Sequence, residues 1–217
     1  MLVHAIRTRL IEPGVDIAKA IVEGVYQMNE TLRSGDIVAV SAKALSISKG
    51  IMIRLEDLKP SSQALSLAEK YSLPPALVEA ILLEADEILG GVQGALLTIK
   101  NGIVVANAGL DMSNAPPGYV IPWPKDLAAS CEELRKKLEA ISKNNLCTMI
   151  TDSKVHPLRL GNVSIALAVS GFQPIKDLRG KLDLFGKTIK IKRMAVADAL
   201  ACAAQVVMGE ANEQTPA

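Results

Sequence analysis

The 217-residue sequence predicts an α/β fold of the mixed α+β kind, and three observations carry that prediction. Helical periodicity alternates along the chain with short β-branched runs, Asn101-Gly102 joins two apolar runs as a hairpin turn does, and no apolar run reaches the ~18 residues of a membrane span. No repeat, low-complexity tract or flexible linker divides the chain, so residues 1–217 read as a single domain, its lobes interleaved if there are two.

The elements follow in order. Ile17, Ile21, Val25 and Met28 recur at helical spacing behind Asp16, a capping residue, and predict a helix over 16–32 that stops at Ser34-Gly35. Residues 36–42 read as a buried strand, and the Ser/Lys-rich stretch 43–50 as a polar loop. Residues 60–89 hold two helical stretches split by Pro74-Pro75; Leu77, Ile81, Ala85 and Ile88 share one face of the second, which stops at Gly90-Gly91. Residues 94–100 and 103–106 are the hairpin strands, because a type I′ turn needs positive φ twice and Asn-Gly supplies it. With four prolines, 115–124 is a stiff loop. The stretch 126–141 predicts a helix with one buried stripe of Leu127, Cys131, Leu134, Leu138 and Ile141. Strands follow at 146–151 and 163–170, and a half-buried one at 188–192, where Ile189 and Ile191 alternate with lysines. Residues 195–208 are apolar nearly all round, as in a fully packed helix ended by Gly209; a polar stripe of Asp198, Cys202 and Gln205 on it calls for hydrogen-bond partners.

Composition excludes several functions. Twenty-four Lys and Arg against 23 Asp and Glu leave a net charge of +1, and aromatic residues make up only 3%, so nucleic-acid binding has neither a field nor stacking platforms. Despite 49% hydrophobic residues and a mean hydropathy of +0.26, the longest uncharged stretch, 160–175, is broken by Gly, Asn, Ser and Pro, which excludes a membrane partner. The charged first 13 residues lack a signal-peptide core, so the expected location is cytoplasmic. Cys131, Cys147 and Cys202 fit neither a zinc site nor a disulfide framework, and His4 and His156 are too few for a histidine-rich metal site.

The chemistry concentrates at two carboxylates. Asp111 and Asp152 each follow an apolar strand, where ligands gather in α/β architectures. In one shared site their repulsion needs a cation, and oxygen ligands point to Mg2+ or Mn2+, with Ser153 and Glu210 as further ligands. An Asp at a strand end is more often a turn or cap, yet Asn107-Ala-Gly-Leu-Asp111-Met-Ser-Asn114 packs more inward polar groups than a turn requires. The stretch from Ser41 to Gly50 suits either a phosphate cradle or a solvated loop, since neither a Walker A pattern nor G-x-G-x-x-G is present. His156, near Arg159, fits a surface residue or a general acid or base.

These pieces, in this order, resemble the coenzyme F420-0:γ-glutamyl ligase family. The stretches that carry the resemblance are Gly35-Asp-Ile-Val-Ala-Val-Ser41, Ala106-Asn-Ala-Gly-Leu-Asp-Met-Ser-Asn114, Ile150-Thr-Asp-Ser153, Ile175-Lys-Asp-Leu-Arg-Gly180, Asp183-Leu-Phe-Gly186, and Ala195-Val-Ala-Asp198 through Met208-Gly-Glu210. The resemblance implies a distinctive ligase fold in an intertwined homodimer, and GTP-dependent addition of L-glutamate to a deazaflavin precursor through an acyl phosphate, with Mg2+ or Mn2+. It makes Asp111 and Asp152 catalytic and, with Ser153 and Glu210, metal-binding. It makes Ser41, Asn114, Met208, Gly209, Ala211 and Asn212 nucleotide-binding.

The sequence also departs from the family pattern. The family's nucleotide lysine falls on Ile47 or Lys49, depending on the gap, and Lys49 is the expected contact. Asp152-Ser-Lys-Val-His156 stands where the family has Asp-Thr-x-Gly-Arg, leaving His156 and Arg159 as the expected substrate contacts. Thr8-Arg9 replaces a Leu-Pro loop; Glu213-Gln-Thr-Pro-Ala217 replaces Asp-Gly-Ile-Pro-Ala, with no counterpart of the family's following strand. Alternatives are a related ligase with another acid acceptor, such as a folate-like pterin, and a non-catalytic paralogue acting as a binding protein.

Overall fold

A computed structural model describes residues 1–156 and 158–217. Helix α1 (Ile17–Gln27) starts where Asp16 accepts hydrogen bonds from the amides of Ala18 and Lys19. It ends earlier than periodicity suggested, because Asn29 turns left-handed at φ 58°. Strand β1 (Ile37–Ser41) runs without a loop into helix α2 (Ala42–Ser48), so the expected polar loop at 43–50 is corrected. The two buried serines explain the misreading: Ser46 Oγ donates to the Pro122 carbonyl at 2.7 Å and Ser48 Oγ to the Leu45 carbonyl at 2.7 Å, which lets a polar sequence pack inside.

After the short strand β2 (Ile53–Arg54) come α3 (Ser62–Tyr71) and α4 (Pro75–Glu84), with Pro75 in the first turn of the second helix. The second helix stops at Glu84, and strand β3 (Glu87–Val92) takes residues expected to be helical, because β4 (Ala95–Lys100) offers it a ladder from Glu87 to Val92. Strand β5 (Ile103–Ala106) closes the predicted hairpin, with Asn101 at φ 51° and Gly102 at φ 73°. A 3-10 turn at Asn107–Gly109 and strand β6 (Tyr119–Val120), paired with β2, lead to α5 (Leu127–Ser142), capped by Asp126. Strands β7 (Cys147–Val155) and β8 (Asn162–Ser170) form a long hairpin, β9 (Ile175–Asp177) pairs with β10 (Arg193–Ala195), and α6 (Val196–Met208) follows.

The central sheet has the order β1-β7-β8, with β1 parallel and β8 antiparallel to β7. Alternation along β1 sets its two faces: Val38 and Val40, with Ile150, pack against α1 and α5, while Ala39 and Met149 pack against Ala201, Ala204 and Met208 of α6. A second core lies where α3 and α4 cover the β3-β4-β5 sheet through Leu77, Ile81 and Leu96.

Two further expectations change. Residues 188–192 form no regular strand, though a Leu182–Thr188 bridge and backbone bonds of Ile189 to Gly180 and Lys181 and of Lys192 to Leu178 pair them loosely with 178–182, and Ile191 is 88% exposed. Helix α6 is not packed all round, since Val206 is 84% exposed. Past α6 the chain returns beneath its own start: Ile6 donates to the Ala217 carbonyl at 2.7 Å and Ser41 to that of Pro216 at 3.0 Å, which lays residues 209–217 across the carboxyl end of β1.

Candidate active site

A cleft of about 290 Å3 opens at that end of the sheet, lined by the start of α2, the turn after β5, the middle of β7, the end of α6 and the returning segment. Asp111 and Asp152 both line it. A backbone bridge to Ile121, with N–H···O distances of 3.1 and 2.9 Å, fixes Asp111 in place. Its Oδ1 accepts from the Ser113 amide and hydroxyl, each at 2.7 Å, and its Oδ2 accepts from Lys43 Nζ at 2.7 Å. Because α2 begins at once after β1, Lys43 reaches over the strand end to this carboxylate, where it supplies positive charge.

Asp152 lies within β7, not beyond it, just past the irregularity between Ile150 and Thr151 that re-aims the strand. Its Oδ1 accepts from the Ser153 amide at 2.9 Å and its Oδ2 from Trp123 Nε1 at 2.5 Å. Burial pushes the carboxyl up to about 6; the charge of Asp111 adds to the rise, and the Trp123 and Ser153 donors and the Lys43 charge oppose it.

Ser41, Asn114, Ser153, Met208, Gly209, Glu210, Ala211 and Asn212 all line the cleft, and Asn114 Nδ2 ties the returning segment in place by donating to the Ala211 carbonyl at 2.6 Å. Glu210 does not join the carboxylate pair: its Oε1 accepts from Gln205 Nε2 at 2.6 Å. Among the described residues no three His, Cys, Asp or Glu side chains gather as a metal-binding group, and Glu210 lines the same cleft as Asp111 and Asp152 without joining them. Lys49 lies outside the cleft, bonded to Glu133 at 2.7 Å and Ser130 at 3.2 Å of α5, while Ile47 faces in. His156 and Arg159 are exposed and off the cleft, because β7 continues through Val155 and carries them to the tip of its hairpin with β8.

Sequence reasoning missed two residues. Lys43 was read only as part of the Ser/Lys-rich stretch; its spacing of four from Ile47 becomes meaningful once that stretch is helical. Trp123 stood inside a proline-rich loop, and its signal was being the chain's one tryptophan.

The residues lining the cleft, two aspartates and Ser153, offer the hard oxygen donors that a divalent cation would take. A largely apolar cleft at strand ends, with a few convergent polar groups, is the setting of an enzyme of small molecules.

The comparisons make the class particular. Residues 5–217 match the family described as F420-0:Gamma-glutamyl ligase. The Coenzyme F420:L-glutamate ligase of Methanothermobacter thermautotrophicus is 40% identical over 209 residues, covering 96% of this chain and 83% of that protein. That of Methanopyrus kandleri is 40% identical over 210 residues, covering 96% and 81%. That of Methanocaldococcus jannaschii is 39% identical over 186 residues, covering 85% and 74%. The chain is thus an enzyme of the ligase class. It belongs to the F420-0:gamma-glutamyl ligase family.

Proposed function

We propose that this chain joins L-glutamate to a coenzyme F420 precursor in the cytoplasm, driven by GTP and a divalent metal, through an acyl phosphate. One conjunction carries the reading: relatives named Coenzyme F420:L-glutamate ligase match 96% of the chain, and the two carboxylates that the resemblance assigns to metal share one cleft.

Asp111, Asp152 and Ser153 are the residues that would hold Mg2+ or Mn2+. When bound, the ion neutralises charge on the transferred phosphoryl group. An acceptor carboxylate oxygen forms the new bond to the γ-phosphorus as the bridging bond to GDP breaks; the glutamate amine then attacks the acyl carbon, losing a proton as phosphate leaves. For nucleotide, the chain supplies Ser41, Asn114 and the wall from Met208 to Asn212, and Lys43, in place of Lys49, is the ammonium within reach of phosphates. Restraint of that wall by Asn114 pre-organises it. A second copy of the chain covers the exposed Leu184 and Phe185, giving a homodimer.

Thermal unfolding with GTP and Mn2+, together and singly, tests the reading before any acceptor is in hand. Specific binding at 100 times the dissociation constant stabilises by about 2.7 kcal/mol. The shift is expected only with both ligands, to be lost in Asp111→Asn and Lys43→Met, and to be kept in Lys49→Met. No shift at millimolar ligand would refute the ligase reading. A shift with glutamylation of a folate-like acid and none of the F420 precursor would move the acceptor to that acid.

A further inference from the structure

We propose that Trp123 is a positioning residue: its indole N–H sets the plane in which the Asp152 carboxylate is presented to the metal. The inference rests on the reading of Asp152 as a metal ligand. Trp123 does not line the cleft; it stands behind Asp152, 3% exposed, and its Nε1 donates to Asp152 Oδ2 at 2.5 Å. With the Ser153 amide on Oδ1, each carboxylate oxygen has one fixed donor, so rotation about the Cβ–carboxyl bond is blocked. An indole N–H only donates, so it favours the acceptor-only, ionised carboxylate that a cation requires. Outer-shell donors of this kind fix ligand orientation around metals.

The indole is itself held from two sides. Gly109 lies against it so closely that a Cβ there would sit 2.4 Å from ring atom Cε2, and φ of 67° at that residue suits glycine. The Lys100 ammonium lies 5.3 Å from the ring centroid and is anchored by Glu84 Oε2 at 2.5 Å. Glu84 of α4, Lys100 of β4, the Gly109 turn and Trp123 therefore form a continuous support that carries the rigidity of the second core to Asp152. A tryptophan kept only for core area needs neither the short bond to a carboxylate nor this clamp.

The experiment uses Mn2+ and Mg2+ as probes, each with GTP. Bound Mn2+ is counted from the electron paramagnetic resonance signal of the free ion for wild type, Trp123→Phe and Asp152→Asn, while emission of the sole tryptophan is followed as wild type is titrated with diamagnetic Mg2+. Trp123→Phe is expected to bind Mn2+ about tenfold or more weakly. Wild-type emission is expected to change saturably with Mg2+, which a distant core tryptophan would not do. Equal Mn2+ affinity in wild type and Trp123→Phe overturns the positioning role while the metal reading stands. Should wild type bind no Mn2+, or Asp152→Asn bind it as tightly, the metal reading fails and the proposal with it. Should Trp123→Phe not fold, the wild-type emission decides: a saturable change supports the role, and an unmoved spectrum overturns it.

Discussion

At Asp152 burial opposes ionisation while two donors favour it, and burial wins: the carboxyl rises from 3.8 to about 6. A folded-state value above the unfolded one means the protonated form is the better fit to the metal-free fold. The stabilising contribution is then full below pH 3.8 and lost as pH rises through 6. Asp152→Asn removes that dependence. Between pH 4 and pH 7.5 the stability of the variant relative to metal-free wild type should move in the variant's favour by about 2 kcal/mol, read from denaturant melts at the two pH values. A pH-independent difference would show that the carboxyl titrates normally. Residues of this kind are only half legible in a sequence. Asp111 and Asp152 stood out because each followed an apolar run; Lys43 and Trp123, which complete their surroundings, come from an unrelated helix and loop, and only the fold brings them within 2.7 and 2.5 Å.

The same contrast recurs among elements. Helix α1, the β4–β5 hairpin and α5 were legible because their signals are local: a capping Asp, an Asn-Gly turn, a stripe at steps of three and four. Helix α2 was hidden because its serines spend their hydroxyls on buried carbonyls, and β3 because the spacing of Ala85 and Ile88 continues a helical pattern that pairing with β4 overrides. The polar stripe of α6 shows how an element's chemistry depends on its neighbour. Strand β8 is a sheet edge, and the stripe satisfies it: Asp198 Oδ1 accepts from the Ala166 amide at 3.0 Å, Gln205 Oε1 from the Ser164 amide at 2.7 Å, and Cys202 Sγ donates to the Ser164 carbonyl at 3.2 Å. The helix thus caps the edge against pairing with another strand. Asp198→Ala leaves one amide unpaired and should lower stability by about 1 kcal/mol, whereas Asp198→Asn, which keeps an acceptor, should stay within about 0.5 kcal/mol of wild type. Equal losses in the two variants would assign the effect to charge near the helix start instead.

For the whole molecule, the segment between β9 and β10 sets the question of assembly. Its own chain leaves Leu184 at 99%, Phe185 at 95% and Ile191 at 88% exposure, and Val206 on α6 is uncovered as well. Single exposed apolar residues are ordinary, but three large ones on one segment make an apolar surface of the kind a partner would cover. Ile189 and Ile191 alternate with lysines as in a strand, and backbone bonds to Leu178, Gly180 and Lys181 pair this stretch within its own chain, so a second copy would cover its side chains and not its backbone. Light scattering should then give twice 23.0 kDa for wild type. Leu184→Glu with Phe185→Glu places two charges on that surface and should return the mass to 23.0 kDa. Since these side chains contribute nothing to the core of their own chain, the double variant should keep its helical circular dichroism, which separates lost assembly from lost folding. Wild type at the mass of one chain would end the dimer proposal, and the uncovered segment would have to answer to a different partner.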